Sequence, residues 1–333
     1  MVELFGRKIM EKKENLIIPE QSQPVEVENL EVVKTKVNEA REQFLKTHDS
    51  VMKKNRIAST IYFGITIGLV ILGTFVEKLM GLSFGIIIAG LIIIWIYTRH
   101  QRKVMDAGTQ LYLYSYSLYA NSYMYGKEDV KDINFEYKRH IDTELIKKIN
   151  IVDDINIINS RDIVTGKMYD HPFLASDVSL KVGNPRRLKE QKALFVGKVY
   201  TLNYSFVNEG RTLLYLKGCG DATPTKLEDV NQINVPSLKK EWQVYTSHKG
   251  YEKIFTSGLI KALNKLECND VMNDVVISIA DGVVIVGFSY SDEAMVIPMR
   301  NEYETKHLEL KEENYKVFKM INKALIENDN FVK

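Results

Sequence analysis

The sequence has little cysteine and little net charge, and both shortages exclude classes of protein. Its 333 residues include two cysteines, Cys219 and Cys268, too few for a disulfide framework or a four-cysteine zinc site. Lysine and arginine number 45 against 43 aspartates and glutamates, so the net charge of +2 gives no global attraction to nucleic acid. With 45% hydrophobic residues the chain is also too apolar for a disordered protein. We therefore expect one large or two ordinary folded domains and no nucleic-acid partner.

Catalytic motifs are also lacking. The chain has no GxSxG, HExxH, Walker or GxGxxG pattern, and its six histidines are widely scattered, so we predict no metal and no cofactor. The weak catalytic candidates are Cys219, His171, His248 and Asp221. Cys219 stands between two glycines, and an exposed thiol there would be reactive only if a histidine base folded beside it.

Two long uncharged runs stand out. Ile57–Val76 has 20 residues without a charge and Leu79–Tyr97 has 19, with only Glu77 and Lys78 between them. At 1.5 Å per residue each run spans roughly the 30 Å hydrocarbon core of a bilayer. A buried helix of a soluble protein is the alternative, but about 40 almost entirely apolar residues exceed what a globular core helix presents. The pattern predicts a two-span transmembrane hairpin.

Basic residues flank this hairpin on both outer sides, while its tip carries one acid and one base. The flanking set is Lys53, Lys54, Arg56, Arg99, Arg102 and Lys103, with Trp95 as an interfacial anchor. An excess of Lys and Arg marks the cytoplasmic side of a span. We therefore predict a plasma (inner) membrane protein with both termini in the cytoplasm.

Four glycines inside the hairpin form two GxxxG pairs, Gly64 with Gly68 and Gly81 with Gly85. Such spacing lets helices approach closely, either between copies or within one hairpin. We favour packing within the hairpin, because a neighbouring helix is already present. The spans contain no Asp, Glu, Lys, Arg or His, which argues against a transport path.

The regions around the hairpin have distinct patterns. Residues 1–27 read as a flexible arm, residues 28–56 as an amphipathic helix, and residues 98–150 as a membrane-exit helical segment with a second helix from about Ile133 to Asn150. The helix over 28–56 carries apolar residues at alternating spacings of three and four: Leu30, Val33, Val37, Ala40, Phe44, Thr47 and Val51. This seam would pair with the exit helix or with a second copy; the first needs no partner and is preferred. One face of the exit helix carries tyrosines expected to pack on the entry helix: Tyr112, Tyr116, Tyr119 and Tyr123.

Residues 151–333 change period from helical to alternating, which predicts a cytosolic α+β domain with an antiparallel sheet. Its predicted strands are Val178–Val182, Tyr200–Phe206, Arg211–Lys217 and Gln243–Thr246. Asp281-Gly282 between two β-branched runs is the strongest hairpin signal. Helices are predicted at Tyr251–Leu266 and Glu312–Glu327. The fold class is thus α+β: a two-span transmembrane helical hairpin with flanking long helices, plus the sheet domain.

A series of short segments in this half resembles a known bacterial family. The segments are Phe173–Leu180, Ala193–Gly197, Asn203–Phe206, Trp242–Ser247, Leu259–Leu263 and Val276–Gly282. With the upstream hairpin, their order and spacing are similar to those of the family termed domain of unknown function 3137, over roughly residues 105–325. Trp242 stands where that family usually has Phe, and Asn234-Val235-Pro236 where it often has Glu-Asp-Pro. The family has no established activity, so the resemblance implies no catalytic residues; it implies a LemA-like membrane protein as a partner.

Three functional hypotheses follow. The leading one is a membrane-anchored, non-enzymatic protein-binding or scaffold module. The second is a homo-oligomeric membrane assembly built on the GxxxG pairs and the heptad seam. The third is an enzyme whose site is assembled from distant residues of the C-terminal domain.

Overall fold

The structure is a computed structural model that describes residues 21–22, 29–76, 80–126, 130–142, 144–146, 155–204, 210–218, 231–280, 282–291, 295 and 297–328. The chain divides into two compact units. The helical unit comprises Thr35–Tyr116 and Pro298–Tyr303. The sheet unit comprises Pro19–Lys34, Ser117–Ile297 and Glu304–Lys333.

Two long helices, α1 (Leu30–Phe75) and α2 (Met80–Tyr125), dominate the first half of the chain. The Asn29 side chain begins α1 by accepting a hydrogen bond from the Val32 amide at 3.1 Å, as an N-cap does. Gly126 ends α2, with its amide bonded to the Ser122 carbonyl. Both helices are long and apolar enough to cross a membrane, by length and composition.

The heptad seam pairs with the exit helix, as expected. The ring of Phe44 stacks on that of Tyr112 with centroids 5.8 Å apart, and Thr47 lies against Gly108. Val37 is fully buried and Val51 nearly so. The two arms of the helical unit therefore pack through the predicted seam.

The segment Pro298–Tyr303 completes the helical unit through polar contacts. Tyr112 donates its hydroxyl to the Pro298 carbonyl at 2.6 Å. Asn38 bonds both backbone groups of Tyr303, accepting from its amide at 3.0 Å and donating to its carbonyl at 3.3 Å. Tyr116 packs edge-on against the Tyr303 ring. Tyr116 thus has an aromatic partner outside the entry helix.

The sheet unit contains an antiparallel sheet of ten strands among the described residues, ordered β1-β2-β3-β4-β5-β10-β9-β6-β8-β7. The strands are β1 (Gln21–Ser22), β2 (Val130–Glu136), β3 (Ile157–Met168), β4 (His171–Val182), β5 (Lys192–Asn203), β6 (Arg211–Lys217), β7 (Asn231–Ile233), β8 (Trp242–Thr246), β9 (Met272–Ala280) and β10 (Val283–Tyr290). The helices are α3 (Ser257–Leu263) and α4 (Lys306–Ile326), with 3₁₀ turns at Leu188–Glu190 and Tyr251–Lys253. The α+β class is confirmed.

The two faces of the sheet bury different residues, because side chains alternate along a strand. On β5, Val199 joins an aliphatic cluster with Val178, Ile163 and neighbouring residues. The next residue, Tyr200, stacks on Phe318 of α4 with ring centroids 5.0 Å apart. Helix α4 thus covers one face with aromatic side chains.

Several predicted elements are present at or near their expected bounds. Strand β6 is Arg211–Lys217 as predicted, and β9 and β10 form the predicted hairpin, with Gly282 at φ 71°. Asp281 lies outside the described residues.

The predicted helix from Ile133 to Asn150 is wrong over residues 133–142, whereas residues 144–146 are helical. Residues Val130–Glu136 form β2, which pairs with β3 and buries Phe135. Apolar spacing there fits either period, and pairing with a neighbouring strand decides between them. The exit helix therefore ends at Tyr125, and residues 147–150 lie outside the described part.

The structure also corrects two smaller predictions, one for a helix and one for the N-terminal arm. The predicted helix Tyr251–Leu266 is a 3₁₀ turn followed by α3, separated where Thr256 caps α3 by accepting from the Leu259 amide. Within the predicted flexible arm 1–27, Gln21–Ser22 pair with β2. The other residues of that arm lie outside the described part.

Candidate functional site

The apolar parts of α1 and α2 are almost entirely exposed. Large exposed hydrophobic side chains run from Ile57 to Ile96, and among the described residues only Met52, Leu111 and Tyr169 join that group from elsewhere. Contiguous apolar surface of this extent is typical of contact with lipid or another protein.

The basic residues that flank the two apolar runs are exposed, at the end of this apolar surface opposite the hairpin tip. They are Lys53, Lys54, Arg56, Arg99, Arg102 and Lys103. The Arg99 guanidinium lies 5.4 Å from the centre of the Trp95 ring, and that ring is itself exposed. An aromatic ring beside a basic side chain is the arrangement found at membrane–water interfaces.

The GxxxG glycines do not pack within the hairpin. A Cβ added at Gly64, Gly68, Gly81 or Gly85 would meet nothing within 4 Å. The close approach lies instead at Gly90, where an added Cβ would come 2.7 Å from Tyr62. The Tyr62 hydroxyl donates to the Ile87 carbonyl at 3.1 Å, which fixes the ring there. The predicted packing role of these four glycines within the hairpin therefore has no close contact to support it among the described residues.

A buried charged cluster lies in the sheet unit, at register partners on adjacent strands. Asp177 of β4 pairs directly with Lys198 of β5, and Asp177 Oδ1 lies 3.3 Å from Lys198 Nζ. Lys198 is 4% exposed, so its charge requires a partner inside the protein. Asp162 of β3, 1% exposed, occupies a register shift between β3 and β4 with φ 61°.

The last turns of α2 supply polar partners to this cluster. Asn121 Oδ1 accepts from Lys198 Nζ at 3.2 Å, and the Ser117 hydroxyl donates to Asp162 Oδ2 at 2.5 Å. Lys198 also lies 5.6 Å from the centre of the Tyr125 ring. These contacts join the end of α2 to the sheet through buried polar groups.

Burial and neighbouring charges shift the pKa values of the cluster. Although burial alone would lower the pKa of Lys198, the charge of Asp177 raises it. Burial alone would raise the pKa of Asp177, but the combined attraction of Lys198, Lys311 and Arg161 lowers it. Burial and the charge of Asp177 raise the pKa of Asp162. Lys198 is therefore held protonated, which suits a structural ion pair and not a nucleophilic amine.

Lys311 of α4 belongs to the same cluster, and the carboxylate charge near it does not offset the effect of burial on its pKa. It is buried, its amine lies 5.7 Å from the centre of the Tyr290 ring, and burial lowers its pKa to about 8. Lys198 and Arg161 act in the same direction and Asp177 opposes them.

The two catalytic candidates that the structure describes, His171 and His248, are not brought into contact. His171 begins β4 and packs on Tyr204, with ring centroids 4.9 Å apart. His248 follows β8, is buried, and bonds Thr212 Oγ1 at 2.9 Å; burial lowers its pKa. Four inter-strand spacings separate β4 from β6, the strand that carries Thr212, or about 19 Å along the sheet. Cys219 and Asp221 lie outside the described residues, so the proposed set has no contacting pair in the described part.

No group of three or more potential metal-ligating His, Cys, Asp or Glu residues occurs in the part of the chain that the structure describes.

Comparison with known proteins gives one weak structural likeness. No family model matches the chain, and neither does any curated protein. A crystal structure of the mycobacterial trehalose monomycolate transport factor A, TtfA, matches at 12% identity and a TM-score of 0.34, over 57% of this chain and 86% of that one. A likeness of this strength carries no argument about function.

Sequence reasoning missed the charged cluster. Its carboxylates and amines lie far apart in sequence and meet only through strand register. The available signal was a charge inside a strand-like run, as with Lys198 between Gly197 and Val199. Such a charge indicates either a solvated face or an internal ion pair, and only the pairing distinguishes the two.

Proposed function

We propose that this protein is a membrane-anchored binding module of the bacterial plasma membrane, with α1 and α2 as two spans and the sheet unit in the cytoplasm. The observation that carries the proposal is the exposed apolar surface between Ile57 and Ile96. Such a surface would be unstable in water, whereas in a bilayer it is the ordinary exterior of a spanning hairpin.

The orientation rests on charge. The exposed bases Lys53, Lys54, Arg56, Arg99, Arg102 and Lys103 lie at one end of the apolar surface. Lys and Arg favour the cytoplasmic side, and each base near an anionic headgroup contributes about 1 kcal/mol to attraction.

A binding role follows from what the sheet unit offers. Lys198 and Asp177 neutralise each other, and the described part of the chain contains no contacting set of catalytic candidates. The unit is a large sheet joined through the chain to the proposed spans, an arrangement that suits recognition of another protein. A LemA-like membrane protein, implied by the family resemblance, is the first partner to test.

The test is brief crosslinking of the tagged full-length protein in native membranes, followed by measurement of the complex mass and identification of what co-purifies. One enriched protein at defined stoichiometry is expected. A bare monomer under all crosslinking conditions would contradict the binding role and would direct effort to the enzyme hypothesis.

Homo-oligomerisation is the second candidate function, favoured by a specific observation. Gly64, Gly68, Gly81 and Gly85 have no close contact within the hairpin and leave small-residue surface open to another hairpin. A complex containing only copies of this chain would support that function over the first.

A further inference from the structure

A cleft of about 640 Å³ in the sheet unit runs along α4. It lies beside the face of α4 that packs on the sheet. Its floor contains Leu310, Val317 and Met320, which repeat at helical spacing and are half-buried. Further along α4, Ala324 is covered by α3, where Gly258 would place a Cβ 3.5 Å from the alanine. The apolar stripe is therefore covered by α3 at one end and open over the cleft.

Lysines line this cleft in excess of acids. Four lysines, Lys265, Lys316, Lys319 and Lys323, face two glutamates, Glu267 and Glu313. Both glutamates are already neutralised: Glu267 pairs with Lys239 at 2.6 Å, and Glu313 pairs with Lys316 at 2.7 Å. Two of the lysines are paired as well, Lys316 with Glu313 and Lys323 with Glu327 at 3.8 Å. The lining still holds four lysines against two glutamates, so positive charge stands beside an apolar floor.

Tyr169 stands at the rim of the cleft, in the turn between β3 and β4. It is 39% exposed and has φ 50°, a left-handed conformation uncommon for a bulky residue. Among the described residues of the sheet unit, it is the one large apolar side chain with this degree of exposure. Tyrosine is among the residue types enriched at the anchor positions of protein interfaces.

We propose that this cleft binds an acidic amphipathic helix of the protein partner. The inference rests on the proposed function and names the partner's chemistry. From Leu310 to Lys323 the cleft extends about 20 Å along α4, the length of a three- to four-turn helix. Apolar side chains of the bound helix contact Leu310, Val317 and Met320, and methionine adapts its shape to such partners. Its carboxylates meet Lys265, Lys319 and Lys323.

The experiment uses full-length protein in phosphatidylcholine nanodiscs and a fluorescent 14-residue helical peptide with leucines on one face and glutamates on the other. Binding is measured by anisotropy. The cleft variant is Lys265→Glu with Lys323→Glu. Its matched control is Lys261→Glu with Lys306→Glu, the same charge change on exposed residues of α3 and α4 outside the cleft.

We expect the cleft variant to raise the Kd at least tenfold and the control variant to change it less than threefold. A peptide with lysines in place of glutamates should not bind. Val317→Glu, which puts a charge on the cleft floor, should weaken binding with both lysines intact. No binding by the unmodified protein, or equal binding by both double variants, would overturn the proposal.

Two further outcomes separate the possible failures. If phosphatidylglycerol vesicles bind through the same lysines and the acidic peptide does not compete, the occupant is a lipid surface and the peptide assignment is wrong. If the native partner crosslinks to the cleft variant with undiminished yield, the proposed function stands and the cleft assignment fails. If neither the unmodified protein nor the cleft variant captures a partner, the proposed function fails. The peptide titration then still decides the chemistry of the cleft.

Discussion

Asp177 and Lys198 are direct register partners on adjacent strands, and their charged atoms lie 3.3 Å apart in the interior of the sheet unit. Removing one member leaves the other charge buried and uncompensated. The pair therefore predicts how the sheet unit responds to substitution.

We expect Asp177→Asn to lower the free energy of unfolding by about 3–5 kcal/mol, because it leaves Lys198 charged and buried without its counter-ion. Lys198→Met with Asp177→Asn should lose less than the sum of the two single variants. Urea unfolding in detergent, followed by Trp242 fluorescence with Trp95→Phe as background, measures both. The control is the exposed pair Lys131 and Asp170, 3.0 Å apart, where Asp170→Asn should cost less than about 1 kcal/mol. Equal losses at both sites would contradict this reading.

The lowered pKa of Lys311 predicts that stability rises with pH in the alkaline range. A lysine whose pKa is raised by an ion pair would instead predict a fall. The folded pKa of Lys311, about 8, lies below the ordinary value of 10.5, so the unfolded chain binds more protons between those values. Stability should therefore rise as the pH increases from about 8 toward 10. The charged groups around it are Asp177, Lys198 and Arg161.

Lys311→Met tests that assignment. The variant should lose the rise in stability above pH 8 and be more stable than the unmodified protein at pH 7, by about 1–3 kcal/mol. Urea unfolding at pH 7, 8 and 9.5 provides the measurement. An unchanged pH profile in the variant would show that another group is responsible.

We expect substitution by alanine to have different consequences at Gly90 and at Gly68. Gly90→Ala should loosen the hairpin, since the new methyl group meets the Tyr62 ring at 2.7 Å. Gly68→Ala should leave the hairpin intact, because nothing lies within 4 Å. Thermal unfolding in mild detergent should separate the two, and light scattering should report any change of mass. A loss of mass confined to Gly68→Ala would support the homo-oligomeric assembly.

We expect the hydrogen bonds of Asn38 to protect the backbone of the segment Pro298–Tyr303 from hydrogen exchange. The Asn38 side chain bonds both backbone groups of Tyr303, so Asn38→Ala should cost about 1–3 kcal/mol and leave those groups unpaired. Hydrogen exchange measured by mass spectrometry should increase over residues 298–303 and remain unchanged in β9 and β10. Lys36→Ala, on the exposed face of α1, is the control.

The parts of the fold that sequence predicted are those determined by local chemistry. Asp281-Gly282 fixes a hairpin between two β-branched runs, and the heptad seam through Phe44 fixes the pairing of α1 with α2. Residues 133–150 were predicted as helix because Phe135, Ile141 and Leu145 also fit a helical period, whereas pairing with β3 makes the part up to Glu136 a strand.

The candidate site depends on contacts that no local pattern contains. Lys198 meets Asp177 through register, and Asn121 reaches the same amine from α2 across 77 positions of sequence. The GxxxG pairs were assigned to packing within the hairpin from spacing alone. Spacing identifies a small-residue face but not the direction in which it points, and here Gly90 makes the close contact.

The most direct test of the account is the membrane topology of the full-length chain. With Cys219 and Cys268 replaced by serine, a single cysteine is placed at position 78, between the apolar runs, or at position 240, an exposed site of the sheet unit. Intact cells are then treated with a membrane-impermeant thiol reagent before and after permeabilisation. The account predicts that Lys78→Cys is labelled in intact cells and Lys240→Cys only after permeabilisation. Labelling of both in intact cells, or recovery of the protein in the soluble fraction, would contradict a two-span anchor with a cytoplasmic sheet unit.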